Sequence, residues 1–246
     1  MERRSLVSFF VSFGLVAVSL ISTSCGKDYA GGAMEDGPRK ELPSAQEVAG
    51  SDETLTIAVR YLAFTDSTGK AVAEQAAAQQ MVEGMSRYWR QCNIQFALEE
   101  FKAIDAGSIN ARYNPSNYSE LDEMRMATQN DSQLTLIGTG VWNRSGSLGN
   151  SGSNCYSSFP GDRAEGIVCE FKSAAKDFMM AHEVGHWLNL RHTNSPTTDA
   201  VDDTHSGNVA NNLMDHVVAA SHGDMTAGQC YRAREAIGSF RRNAVM

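Results

Sequence analysis

The chain has 246 residues, of which 42% are hydrophobic and 20% charged, a composition typical of a folded globular protein with one sizeable core. Its formal net charge is -8, and its basic residues are scattered along the chain. Both features argue against nucleic acid as the main partner, because phosphate binding requires a clustered basic face.

Residues 1–24 have the features of a targeting segment. Two arginines precede an apolar run over residues 6–21, and small residues then lead to Cys25. This order predicts a secretory signal. The cysteine after small residues resembles a bacterial lipobox, although Ser22 stands where leucine is usual. The resemblance implies lipidation of Cys25 and a lipoprotein of the cell envelope, facing the outer membrane or the cell surface. Secretion without a lipid, with Cys25 in a disulfide, is the alternative.

The predicted domain organisation continues with a tether and one folded domain. Residues 25–52 are rich in Gly, Pro, Lys, Glu and Ser, which predicts a flexible segment. Residues 53–246 alternate between strand and helix patterns, which predicts one α/β domain with a mixed sheet. The predicted elements, in chain order, are a strand from 54, a helix over 71–91, a strand from 94, a helix over 119–128 capped by Ser119, a strand over 134–137, a loop over 140–161, a strand over 166–171 and a helix over 177–190.

The histidines indicate a metal site, since all six lie between residues 182 and 222. His182 and His186 occur in the run HEVGH on the predicted helix 177–190, one turn apart on one helix face, so both rings can reach one ion. Catalytic zinc sites use such imidazole ligands and keep one position for water. Glu183 is then placed to hold and deprotonate that water.

His192 is the predicted third ligand, and it lies too far beyond His186 to reach the same ion along a straight helix. The helix must therefore end near Asn189 with a sharp turn. Such turns call for a residue that tolerates positive φ, usually Gly and next Asn. The pattern HExxHxxNxxH is thus a chemically sensible variant of HExxHxxGxxH, the metzincin signature.

Four stretches together resemble the pappalysin (cytophagalysin) branch of the metzincins. HEVGHWLNLRH over residues 182–192 resembles its active-site helix, and DAVDDT over 199–204 resembles its calcium-binding loop. NLMD over 212–215 resembles the Met-turn, and residues 225–234 resemble the helix start that follows. The resemblance implies a mixed twisted sheet with a backing helix and the active-site helix in an upper lobe, and a small irregular lower lobe with a C-terminal helix.

The resemblance also implies roles for particular residues. Zinc is expected at His182, His186 and His192, with Met214 as an apolar floor beneath it. Calcium is expected on the acidic loop, whose carboxylates would otherwise simply be solvated. The implied calcium ligands are Asp199, Asp202 and Asp203.

His216 departs from the family pattern, because a tyrosine is common at this position. Its imidazole can donate a hydrogen bond that stabilises the reaction intermediate, act as a fourth nitrogen ligand that closes the site, or simply lie at the surface. The histidines at 205 and 222 are expected to be exposed to solvent.

Four cysteines remain if Cys25 is lipidated. In an exported protein they permit two disulfides in three connectivities, or some buried thiols, and the sequence does not choose among these. They are Cys92, Cys155, Cys169 and Cys230.

These expectations combine into one predicted function. The chain is expected to be a zinc-dependent endopeptidase that hydrolyses peptide bonds in proteins or peptides, with Glu183 as the base and an extended substrate lying across a cleft between the lobes. The alternative is a metal-binding surface lipoprotein without turnover, serving adhesion or a scaffold.

Overall fold

The computed structural model describes residues 44–150, 153–174, 176–193, 201–204, 211–216 and 221–246. The predicted signal segment, Cys25 and most of the predicted tether therefore lie outside the described residues. Within the described ranges, no helix is both long enough and apolar enough to cross a membrane.

The described chain contains five strands and six α-helices. They are α1 (Ala45–Gly50), β1 (Leu55–Thr65), α2 (Gln75–Trp89), β2 (Ile94–Asp105), α3 (Tyr118–Thr128), β3 (Leu134–Thr139), β4 (Cys155–Ser157), β5 (Ile167–Glu170), α4 (Phe171–Ala174), α5 (Asp177–Trp187) and α6 (Ala227–Phe240). Short 3₁₀ turns follow α2, β2 and α6, and another precedes β4.

The strands form one sheet in the order β2-β1-β3-β5-β4. β1 pairs in parallel with β2 and β3, β3 pairs in parallel with β5, and β4 runs antiparallel to β5 at the edge. Every residue of β3 is buried, as expected for a parallel strand covered on both faces. The predicted α/β class with a mixed sheet is confirmed.

The two faces of the sheet belong to two hydrophobic clusters. Leu134 and Leu136 of β3 lie in the larger cluster with Met85 and Trp89 of α2 and Val184 of α5. Ile137 of β3 points to the opposite face and lies in the smaller cluster with Leu121 and Met124 of α3. This alternation follows from the period of two along a strand. The larger cluster therefore packs α5 against α2 and the sheet.

Three local features differ from the sequence expectations. β4 lies inside the predicted loop 140–161, because three residues are too few to show a strand pattern and only pairing with β5 defines them as a strand. α3 is capped by Asn117, whose side-chain oxygen accepts a hydrogen bond from the Glu120 N–H, and not by Ser119. α5 ends at Trp187, three residues before the predicted end.

The last part of the predicted tether is helical. α1 begins with a capping box between Ser44 and Glu47 and packs against α6, where Gly238 lies close to Val48. The Arg234 Nε donates a hydrogen bond to the Val48 carbonyl at 3.1 Å. A six-residue helix is marginal by itself, so packing on α6 supplies its stability, which composition alone does not reveal.

The four cysteines form two disulfides. Cys155 on β4 is bonded to Cys169 on β5, fourteen residues away. Cys92, which follows α2, is bonded to Cys230 on α6 across 138 residues. The edge strand is thus attached covalently to its neighbour, and the C-terminal helix to the end of α2.

Candidate metal centre

α5 carries HEVGH in the interior of the protein. His182, Glu183 and His186 are all buried, with at most 3% of each residue exposed. The helix packs against α2, where the indole N–H of Trp89 donates a hydrogen bond to the Ala181 carbonyl at 3.1 Å. The helix that carries the two histidines is therefore held in place by packing in the larger hydrophobic cluster.

The chain reverses direction directly after α5. Asn189 has φ +67°, the Asn189 N–H bonds the His186 carbonyl at 2.9 Å, and the Leu190 N–H bonds the Gly185 carbonyl at 2.8 Å. These bonds define a Schellman motif with Asn189 in the left-handed position. The predicted turn at Asn189 is confirmed, and it returns the chain toward the helix face that carries His182 and His186.

The turn brings His192 to the other two histidines. The Nε2 atom of His192 lies 3.1 Å from that of His186 and 3.3 Å from that of His182. The Nδ1–H of His182 donates to the Leu213 carbonyl at 2.7 Å, and the Nδ1–H of His186 donates to the Leu190 carbonyl at 2.8 Å. Because carbonyls only accept, these bonds assign the ring protons to Nδ1 and leave both Nε2 lone pairs directed at the cluster.

This donor set fits a metal ion. Tetrahedral ligands about 2.0–2.1 Å from zinc are about 3.3 Å apart, close to the observed Nε2 separations. Burial, and then His192, lower the pKa of His182 to about 3. Burial and the same neighbour lower the pKa of His186 well below its ordinary value. Both rings are thus neutral near pH 7, the form that binds metals. Among the described residues, these three histidines are the only such group of three or more ligand side chains.

The predicted Met-turn contacts α5 through Met214. The Met214 N–H donates to the Asn212 side-chain oxygen at 2.9 Å, and the Asp215 N–H donates to the Asn212 carbonyl at 3.1 Å. The Met214 side chain is fully buried and fills the space beside Gly185, where a Cβ would collide with its sulfur. A methyl group at Gly185 would therefore have to displace the buried Met214 side chain.

We expect Gly185→Ala to destabilise the protein by about 1–3 kcal/mol, because the added methyl overpacks the contact with Met214. Urea unfolding of the metal-free protein measures this change. The matched control is Gly50→Ala, since a Cβ at Gly50 meets nothing within 4 Å. Equal losses of stability in the two variants would contradict the proposed packing role of Gly185.

Two residues that sequence reasoning missed connect the sheet edge to the metal centre. The Ser157 hydroxyl on β4 donates to the Glu183 carbonyl at 2.8 Å. The Phe159 ring lies 5.2 Å from the His186 ring, and the Arg191 guanidinium lies 4.8 Å from the Phe159 ring. Both residues lie in the region predicted as loop, where no local pattern signals such contacts.

Other predicted site residues lie outside the histidine group. His216 has half of its side chain exposed and pairs with Asp215 at 3.1 Å. Asp202 and Asp203 are exposed, and Asp203 accepts hydrogen bonds from the Thr226 hydroxyl at 2.7 Å and the Gly228 N–H at 2.8 Å. Asp203 is therefore hydrogen-bonded to the N-terminus of α6.

The structure gives no description of two predicted residues and corrects one expectation. Asp199 and Cys25 lie outside the described residues, so their predicted roles stay predictions. His222, expected to be exposed, is half-buried, and it is close enough to His182 to lower the pKa of that imidazole further. The histidine at 205 also lies outside the described ranges.

Comparison with solved structures identifies other proteins with the same fold. No protein-family model matches the chain, and no curated protein matches its sequence. A Tannerella forsythia promirolysin mutant superposes with TM-score 0.60 at 16% identity, covering 80% of this chain and 88% of that one. Mature T. forsythia mirolysin in complex with a cleaved peptide gives TM-score 0.58 at 16% identity, covering 80% and 100%. Mirolysin in complex with compound 9 gives TM-score 0.60 at 17% identity, covering 78% and 96%.

The chain therefore has the same fold as these three structures. The particular proteins that it resembles are the promirolysin and mirolysin structures, at identities that establish the shared fold alone.

Proposed function

We propose that this protein is a zinc-dependent endopeptidase of the pappalysin branch, which hydrolyses peptide bonds in proteins or peptides. The observation that carries the proposal is the convergence of three imidazole Nε2 atoms beside the buried Glu183. Three nitrogen ligands leave a fourth position of a tetrahedral ion open, which is typical of catalytic zinc sites. A closed structural site would need a fourth protein ligand.

His182, His186 and His192 would hold the ion, and the backbone carbonyls of Leu213 and Leu190 orient two of these rings. Bound zinc supplies a Lewis acid that polarises the scissile carbonyl and lowers the pKa of coordinated water. The Glu183 carboxylate takes a proton from the attacking water and returns it to the nitrogen of the leaving amine. Burial of Glu183 keeps this proton transfer away from bulk solvent.

β4 is the edge strand of the sheet in the described part of the chain, and it offers a candidate binding surface for an extended peptide. The Glu170 N–H bonds the Asn154 carbonyl and the Ser158 N–H bonds the Gly166 carbonyl, so the even-numbered residues of this segment face β5. The backbone groups of Ser157, whose hydroxyl donates to the Glu183 carbonyl, therefore face the outer edge of the sheet. A peptide that adds to this edge as a strand would lie beside the metal centre, the β-augmentation mode of recognition. One structural neighbour is itself a complex with a cleaved peptide.

Three further predictions from the sequence complete the proposal. The signal segment exports the protein, and a lipid on Cys25 anchors it to the membrane of the cell envelope. Calcium binds the acidic loop, with Asp199, Asp202 and Asp203 as the candidate ligands together with backbone carbonyls. His216 donates a hydrogen bond to the reaction intermediate from the Met-turn.

The test is digestion of a fluorogenic peptide library by the protein loaded with zinc, treated with a chelator, and then reloaded with zinc. We expect cleavage by the loaded protein, at least about a hundredfold less after chelation, and recovery on zinc addition, because the Lewis acid is essential to the chemistry. Tight zinc binding without cleavage of any library member would instead support the metal-binding lipoprotein without turnover.

A further inference from the structure

Two arginines of the C-terminal region contact the turn that delivers His192. The Schellman motif satisfies the carbonyls of Gly185 and His186, and the Leu190 carbonyl accepts the His186 ring proton. The carbonyls of Trp187 and Asn189 have no partner within this motif. Both are bonded by arginines that lie more than 40 residues further along the chain.

Arg241, directly after α6, makes the more extensive contact. Its Nε and Nη2 atoms each donate to the Trp187 carbonyl at 3.3 Å, and its guanidinium lies 4.4 Å from the centre of the Trp187 ring. The Nη1 atom pairs with the Glu165 carboxylate. Only 4% of Arg241 is exposed, so the guanidinium is held between the end of α5 and Glu165. A cation at this position also faces the negative end of the α5 dipole.

Arg232, on α6, makes the second contact, in which its Nε donates to the Asn189 carbonyl at 3.3 Å. The bonded carbonyls lie on either side of Leu188, where α5 ends and the chain begins its reversal. The two guanidiniums therefore attach the start of the turn to the C-terminal region. The hydrogen bonds within the Schellman motif set the conformation of the turn itself. We call Arg232 and Arg241 the arginine clamp.

We propose that the arginine clamp is a positioning device for the metal centre, which holds the turn so that His192 meets His182 and His186. The inference rests on the proposed function, because it concerns the same site. Neither arginine belongs to the group of ligand side chains, so both act through the backbone of residues 187–189. Loss of the clamp allows the turn to shift, and the distances among the three Nε2 atoms then vary.

The expected result is weaker metal binding by a protein that remains folded. Groups bonded directly to a metal ligand contribute about 10–100-fold to metal affinity. Arg241 acts one step further out, through the backbone, so we expect Arg241→Ala to raise the zinc dissociation constant by about tenfold, the lower end of that range. Arg241→Lys retains the positive charge but loses the planar guanidinium with its several N–H donors. Its zinc dissociation constant should therefore lie between those of Arg241→Ala and the parent. Arg232→Ala, which removes one hydrogen bond, should cause a smaller increase.

Competition with a chromogenic zinc chelator measures these constants, at a temperature well below the melting temperature of each metal-free variant. The matched control is Arg87→Ala, since Arg87 pairs with Asp177 at the opposite end of α5 and is largely exposed. Its dissociation constant should equal that of the parent, because exposed ion pairs contribute little. For the zinc-loaded variants, kcat for a peptide substrate should fall while KM stays unchanged.

A lower melting temperature of Arg241→Ala with a parent-like zinc dissociation constant would overturn the proposal and assign Arg241 to stability alone. If Arg241→Ala does not fold, a zinc dissociation constant of Arg241→Lys equal to that of the parent overturns the proposal in the same way. If the unsubstituted protein binds zinc but cleaves no peptide, the proposed function is contradicted. The comparison of zinc dissociation constants then still tests the role of the arginine clamp. A parent that binds no zinc overturns both.

Discussion

Glu183→Gln is expected to retain zinc and to lower kcat/KM by about 10²–10⁴-fold, the contribution typical of a general base. Glutamine keeps the shape of the side chain and fits the same buried space, but its amide cannot accept the proton of the attacking water. Glu183 also lies outside the group of three histidines, so zinc content should not change. Steady-state cleavage of a peptide found in the library digest, with zinc measured on the same sample, gives both quantities.

The control for this prediction is Glu83→Gln, which makes the same chemical change at an exposed position on α2. Its activity and zinc content should match the parent. Parent-like cleavage by Glu183→Gln would contradict the role of Glu183 as the base. Loss of zinc together with activity would show instead that Glu183 contributes to holding the metal.

His192→Ala is expected to raise the zinc dissociation constant by more than about 100-fold, because removal of an outer-shell partner alone already costs about 10–100-fold. The remaining Nε2 atoms of His182 and His186 offer two ligands, too few for a tight site. Peptide cleavage should fall in parallel when it is measured at a limiting zinc concentration. Equilibrium competition with a chelator and zinc-dependent kinetics check the two effects separately.

His216→Ala is the informative comparison for this prediction. Its ring is half exposed, pairs with Asp215, and lies outside the described histidine group, so zinc affinity should stay within about threefold of the parent. A loss as large as that of His192→Ala would show that His216 is a fourth ligand. A parent-like zinc affinity in His192→Ala would remove His192 from the ligand set.

Local patterns in the sequence predicted a large part of the fold and the centre of the site. The strands of the parallel sheet and the helices α2 and α5 follow from apolar spacing, because side-chain periodicity is a local property of a helix or strand. The spacing of His182 and His186 places both on one helix face for the same reason. Asn189 indicated the turn, since few residue types adopt a positive φ readily.

Contacts between distant segments could not be predicted in this way. β4 has no strand pattern of its own and depends on pairing with β5. The cysteine pairing depends on which elements meet, and so do the buried hydrogen bonds between Asn212 and Gln229 that connect the Met-turn to α6.

The sequence by itself therefore determined the class of the fold, the three histidines and Glu183 as the candidate site, and the position of the turn after α5. Only the tertiary structure decided what holds that site in place. Ser157 reaches Glu183 across 26 residues, and Arg241 reaches Trp187 across 54. Interactions over such separations depend on how the whole chain packs, whereas the spacing of ligands on one helix depends only on the pitch of that helix.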